Sequence, residues 1–229
     1  MRLAPFFFLL LASFPGCFGY AAPARIGFDG MPTSAAAGHG SVAATYGVGP
    51  TASGDARVSV GVGSGVSVTV GGLVASAGIL MGNAGVRVSL VDGPLLVLDM
   101  GVDLGAGLGG QESNLADDAE GAEEENESRD NEELALAGAV DFTLGLRLHR
   151  YGGLYLPLRV QVGDSPSNPL IPLTIYHQVA LGWQAEWTDH LYTKLDAGYF
   201  GLNTLESTGK DDPTYESGWT ANVGFGARW

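Results

Sequence analysis

The chain has 229 residues, enough for one compact unit, and its 36 glycines with only 16% charged residues favour a sheet over a helical domain. A formal net charge of -14 argues against nucleic acid as a partner, because phosphate backbones attract the opposite sign.

The chain opens on an export signal, read as residues 1–21. Arg2 supplies the charged start, an apolar run covers 4–12, and Pro15 and Gly16 break it. The run is too short to span a bilayer as a helix. Small residues at Gly19, Ala21, Ala22 and Ala24 place cleavage between 19 and 24. Cys17 is the only cysteine, and two readings of it stand: lipid attachment, or loss with the signal. Phe14 and Pro15 before it fit a lipoprotein signal poorly, and loss would leave a mature chain without disulfide or thiolate chemistry. Residues 22–40, rich in Ala, Pro and Gly without a period, predict a flexible leader that does not pack.

From residue 41 apolar residues alternate with polar or tiny ones, the two-residue period that a β-strand turns into two faces. Weaker strands are predicted at 41–48, 56–62, 66–74 and 84–91. The glycine-rich run 58–72 reads either as two strands or as one bent strand, so the count is ten, which is favoured, or eight. The pattern sharpens at 95–108, where Leu96, Leu98, Met100, Val102 and Leu104 share a face opposite Asp99 and Asp103.

An acidic stretch, 109–133, then runs from Glu112 to Glu133 against the single Arg129 and carries most of the net charge. Its densest part, Glu123, Glu124, Glu125, Glu127 and Asp130, would attract divalent cations weakly; a solvated, self-repelling loop is the plainer reading. EF-hand spacing is absent, and no cofactor motif occurs: Gly61-Val62-Gly63 lacks the strand-to-helix context of a nucleotide loop.

Residues 134–149 give the clearest alternation, with Val140, Phe142, Leu144 and Leu146 on one face and Asp141, Thr143 and Arg147 on the other. Further strands follow at 154–162, 177–187, 191–202 and 219–229. The polar faces collect Arg57, Arg87, Arg147, Arg159, Lys194 and Arg228 with Asp99, Asp103, Asp141, Glu186 and Asp196. Signs that nearly cancel predict a paired polar interior rather than a wide channel.

The last segment places Val223, Phe225 and Trp229 on one apolar face, with Gly224 between them, and ends on an aromatic. In these residues the chain resembles the bacterial outer-membrane β-barrel family, without a subfamily. The resemblance implies an all-β, antiparallel transmembrane barrel over 41–229, with Val223, Phe225 and Trp229 as the signal read by the barrel-assembly machinery. It also implies outer-membrane lipid and lipopolysaccharide as surroundings, a periplasmic leader, and short periplasmic turns alternating with long outer loops. Six links counted back from residue 218 alternate in that way. Trp187 and Trp229 near one rim, with Trp219 and Tyr199 near the other, suit interfacial girdles. The oligomeric state is not readable.

Surface enzymes of the barrel type gather His and acidic residues at the outer rim. Here Asp189 and His190 fall on a short turn at the opposite end, and His177, near the outer rim, has no ordered nucleophile beside it. The expectation is therefore a small non-enzymatic outer-membrane barrel that displays polar loops for adhesion, surface protection or envelope integrity, with no cofactor and no metal centre. A narrow transport channel is the alternative, and an outer-membrane hydrolase or a secreted β-sandwich comes behind it.

Overall fold

The computed structural model describes residues 28–31, 37–49, 52–75, 79–109, 133–149, 152–164, 173–204 and 215–229. Ten strands follow one another: β1 (Gly40–Val48), β2 (Ser53–Gly63), β3 (Val66–Ala75), β4 (Ile79–Asp92), β5 (Leu96–Gly109), β6 (Glu133–His149), β7 (Gly152–Asp164), β8 (Thr174–Glu186), β9 (Leu191–Thr204) and β10 (Tyr215–Arg228). Each pairs antiparallel with its sequence neighbour, and β1 pairs with β10 to close the sheet into a barrel.

The alternative of eight strands fails at residues 63–65. Gly63, Ser64 and Gly65 all take positive φ, at 105°, 55° and 76°, and reverse the chain between β2 and β3. Glycine enters that region without a Cβ clash, so two glycines around one serine make the reversal cheap. Strand β4 starts earlier than alternation alone suggests, at Ile79, because Ile79 to Asn83 continue the ladder with β3 despite the weak strand propensity of Gly82 and Asn83.

At the seam Gly40 and Trp229 exchange both backbone hydrogen bonds at 3.1 Å. The register then runs from Ser41 opposite Arg228 to Val48 opposite Ala221. Closure matters because hydrocarbon offers no partner to an edge strand's N–H and C=O groups.

The links segregate. At one end, the turn end, they cover 64–65, 93–95, 150–151 and 187–190; at the other, the loop end, 49–52, 76–78, 110–132, 165–173 and 205–214. The turn at 187–190 is tied by the Thr188 hydroxyl, which accepts from the N–H groups of His190 and Leu191 at 3.1 and 3.0 Å. Strands β4 to β10 have 13 to 17 residues and β1 to β3 only 9 to 11, about the minimum for a tilted membrane-spanning strand.

The two faces are inverted relative to a soluble protein. Val140, Phe142, Leu144, Leu158, Val179 and Leu195 are exposed on the outside, while Arg57, Asp103, Asp141, Arg159 and Lys194 are buried within. A β-sandwich would have hidden the apolar face against a second sheet; there is one closed sheet, and its apolar face looks outward. This is an outer-membrane type of β-barrel, whose exterior is solvated by lipid tails. Trp187 and Trp229 lie exposed at the turn end, and Trp219 stacks edge-on with Tyr199 near the loop end, centroids 5.8 Å apart.

Candidate functional site in the barrel lumen

Inward positions of neighbouring strands bring together side chains far apart in sequence. From β2, Arg57 reaches Asp103 of β5 at 3.1 Å. Arg87 of β4 lies 3.6 Å from Asp141 of β6, which also takes the Arg159 guanidinium of β7 through both carboxylate oxygens. Glycines in the wall admit these large side chains: a Cβ on Gly71 would stand 2.6 Å from the Arg57 stem. A second network lies toward the turn end on β7, β9 and β10. There Tyr155 donates to Asp196 at 2.8 Å, Asn222 donates to the other oxygen of Asp196, and the Tyr155 ring lies flat over Gly182. Buried charges are costly unless compensated: the Arg–Asp set is charge-paired, and Asp196 is held by the Tyr155 hydroxyl and the Asn222 amide.

Toward the loop end the lumen is apolar. Tyr176, Phe200 and Leu202 form one buried cluster, and Leu73, Met81 and Ala135 form another. Gln178 donates to Thr220 at 2.9 Å between the charged and apolar levels.

The residues 28–31 correct an expectation. They belong to the segment 22–40 that the sequence suggests does not pack, and they lie inside the barrel: Phe28 and Met31 are buried. The Asp29 carboxylate receives both Arg57, at 3.3 Å, and Arg87. Lys194 donates to the Phe28 carbonyl, the Arg159 guanidinium lies 4.7 Å above the Phe28 ring, and the Met31 N–H donates to Gln184 at 3.0 Å. Met31 packs with Val97 and Tyr155 near the turn end. Gly30 takes φ 85°, a backbone conformation that favours glycine, and the Gln184 amide oxygen lies 2.6 Å from where a Cβ would be. Residues 38 and 39 lie back at the turn-end rim, hydrogen-bonded to Gly61. The four residues fill part of the lumen. A cavity beside them, lined by Asp29, Arg57, Arg87 and Tyr192, and a second between Arg57, Leu73 and Asp103 each measure about 30 Å³, room for about one or two waters.

All eleven charged residues expected inside lie on the inward parity of their strands. Arg147 with Asp92, at 2.9 Å, and Arg228 with Glu186, at 2.9 Å, form pairs at the turn end, the first largely solvent-exposed. His177 points out of the barrel, its ring 6.3 Å from that of Tyr215 and resting over Gly201. It therefore belongs to the exterior near the loop end, away from the lumen. His190 bonds the Arg228 carbonyl at 3.1 Å on the turn end.

Val223 and Phe225 on the outer face of β10, and Trp229 just past its end, lie on the same side beside the seam. The residues of the signal, Cys17 and the acidic group Glu123, Glu124, Glu125, Glu127 and Asp130 lie outside the described residues. Sequence reasoning missed Phe28, Asp29 and Met31. The available signal was faint: 29 is the only carboxylate in 20–40, flanked by two of that tract's few large apolar residues.

No protein-family model matches the chain, and no curated protein does. Among solved structures it is similar to a KdgM porin in complex with disordered oligogalacturonate, with TM-score 0.41 and 7% identity over 82% of this chain and 98% of that one. It is similar to the outer membrane protease OmpT from Escherichia coli, with TM-score 0.40 and 8% identity over 83% and 95%. It is also similar to a bacterial polysaccharide outer membrane secretin, with TM-score 0.40 and 11% identity over 81% and 57%. These are likenesses of barrel architecture, which the strand pairing already establishes, and they carry no argument about a substrate.

Proposed function

We propose that the protein is a small outer-membrane barrel that keeps its lumen shut and acts through its loop end, as a non-enzymatic surface component. The supporting observation is the filled lumen: buried Arg–Asp pairs, a plug seated among them and cavities of about 30 Å³ fit a rigid support better than an open pore. The loop end carries the acidic stretch 110–132 between β5 and β6, two long strands. Bridging of those carboxylates to lipopolysaccharide phosphates through divalent cations is the interaction their charge suits.

Two measurements test this reading. The chain in planar bilayers is expected to show no steady conductance. Removing 111–131 should abolish magnesium-dependent binding to lipopolysaccharide vesicles while the barrel still migrates differently when boiled. Steady conductance, or undiminished binding by the shortened chain, overturns the proposal. A narrow channel is the second reading, favoured because part of the material filling the lumen, residues 28–31, is a separate segment rather than the wall.

A further inference from the structure

We infer that residues 28–31 are a displaceable plug and that the place of the Asp29 carboxylate is an anion site, open to a small carboxylate-bearing solute when the segment withdraws. The inference goes beyond the shut barrel by assigning closure to four residues. Three observations carry it.

First, among the described residues the plug is held by wall side chains. Gln184, Lys194, Arg57 and Arg87 grip it, and it joins no strand ladder, so its release breaks a few side-chain contacts and leaves the barrel's hydrogen bonds intact. Second, it is tethered at the turn-end rim, where residues 38 and 39 bond Gly61, so withdrawal needs no passage through the wall. Third, the site it occupies is built. Arg57 and Arg87 converge on one carboxylate oxygen from different strands, their own counter-ions Asp103 and Asp141 lie behind them, and Gly71 and Gly101 in the wall leave room for their side chains. Two guanidiniums converging on a carboxylate would hold a free acetate in the same manner as Asp29.

The test uses the full chain with Cys17 replaced by Ser, Met31 replaced by Cys, and a membrane-impermeant maleimide. Met31 is buried, so labelling should be slow in chloride. Acetate at equal ionic strength should speed it. Asp29→Arg should speed it in either salt by at least about tenfold, since a hydrogen bond between charged groups exceeds one decade in an equilibrium. In planar bilayers the Asp29→Arg chain should open and prefer anions, and Arg57→Gln with Arg87→Gln in that background should lose the preference. Asp29→Asn, which adds no repulsion, serves if Asp29→Arg does not fold, and should label at an intermediate rate. Equal labelling in acetate and chloride removes the anion site. Folded Asp29 variants that stay protected and silent remove the plug. Conductance by the unmutated chain would instead overturn the shut-barrel reading.

Discussion

Val140 and Asp141 are neighbours on β6 and live in different solvents: Val140 is 39% exposed on the outside of the barrel, and Asp141 is 2% exposed inside it, held by Arg159. The outer face needs only to be apolar, because lipid conforms to whatever shape it meets. The inner face needs particular partners, because a buried charge without one is costly. Exterior residues should therefore tolerate exchange within a class, and lumen residues should not.

The largest expected break is Asp141→Ala. It takes the Asp141 carboxylate away from the Arg159 guanidinium, whose side chain is 1% exposed, and should cost about 3–5 kcal/mol, read as a lower urea midpoint for unfolding from lipid vesicles. The matching exterior test is Val140→Arg at mid-strand, with an expected cost of about 2–4 kcal/mol at the bilayer midplane, whereas Val140→Leu should be nearly silent. An equal tolerance of both arginine and leucine at 140 would mean that this face does not meet hydrocarbon.

Gly182→Ala sharpens the inner rule by volume rather than charge. Its new methyl would sit 2.1 Å from the ring of Tyr155, whose hydroxyl donates to Asp196, and overpacking of this kind costs about 1–3 kcal/mol. Heat-modifiability on a gel would report it as a lower unfolding temperature. At the loop-end rim, Trp219→Ala removes the edge-on contact with Tyr199 and should cost about 0.5–1.5 kcal/mol, less in micelles than in bilayers, since a micelle lacks the flat interface. The smallest effect is expected from deleting 111–131, which shortens one loop and should change stability by less than about 1 kcal/mol, measured in the same urea unfolding.

The outer face was legible in advance because the strand period is short and local. From Leu96 to Leu104, or Val140 to Leu146, each residue's side follows from its neighbour's, and the acidic stretch with the two-residue spacing of its flanks marks where one strand ends and the next begins. The charged interior was legible as a set, since Arg57, Arg87, Arg159, Asp103 and Asp141 all fall on the polar parity. Who pairs with whom was not. Arg87 meets Asp141 across β5, and the residue between them, Gly101, has no side chain to announce it. His177 shows the limit from the other side: its spacing in β8 puts it on the apolar parity with Val179 and Leu181, so its outward position was readable, yet the chemistry of histidine drew attention to the rim.

By itself, then, the sequence determined the sheet and the assignment of each strand's faces to oil or to polar company, because these depend on neighbours two residues apart, whereas the choice of ten strands over eight waited on the positive φ angles at 63–65. The tertiary structure alone decided that the seam closes Gly40 onto Trp229, that three arginines share two aspartates, and that Phe28 to Met31 turn back into the lumen to bring Asp29 to Arg57 and Arg87. A four-residue segment without periodicity has no local preference strong enough to declare a position. Its place is set by a charge, two apolar side chains and a backbone carbonyl finding partners 28 to 166 residues away along the chain.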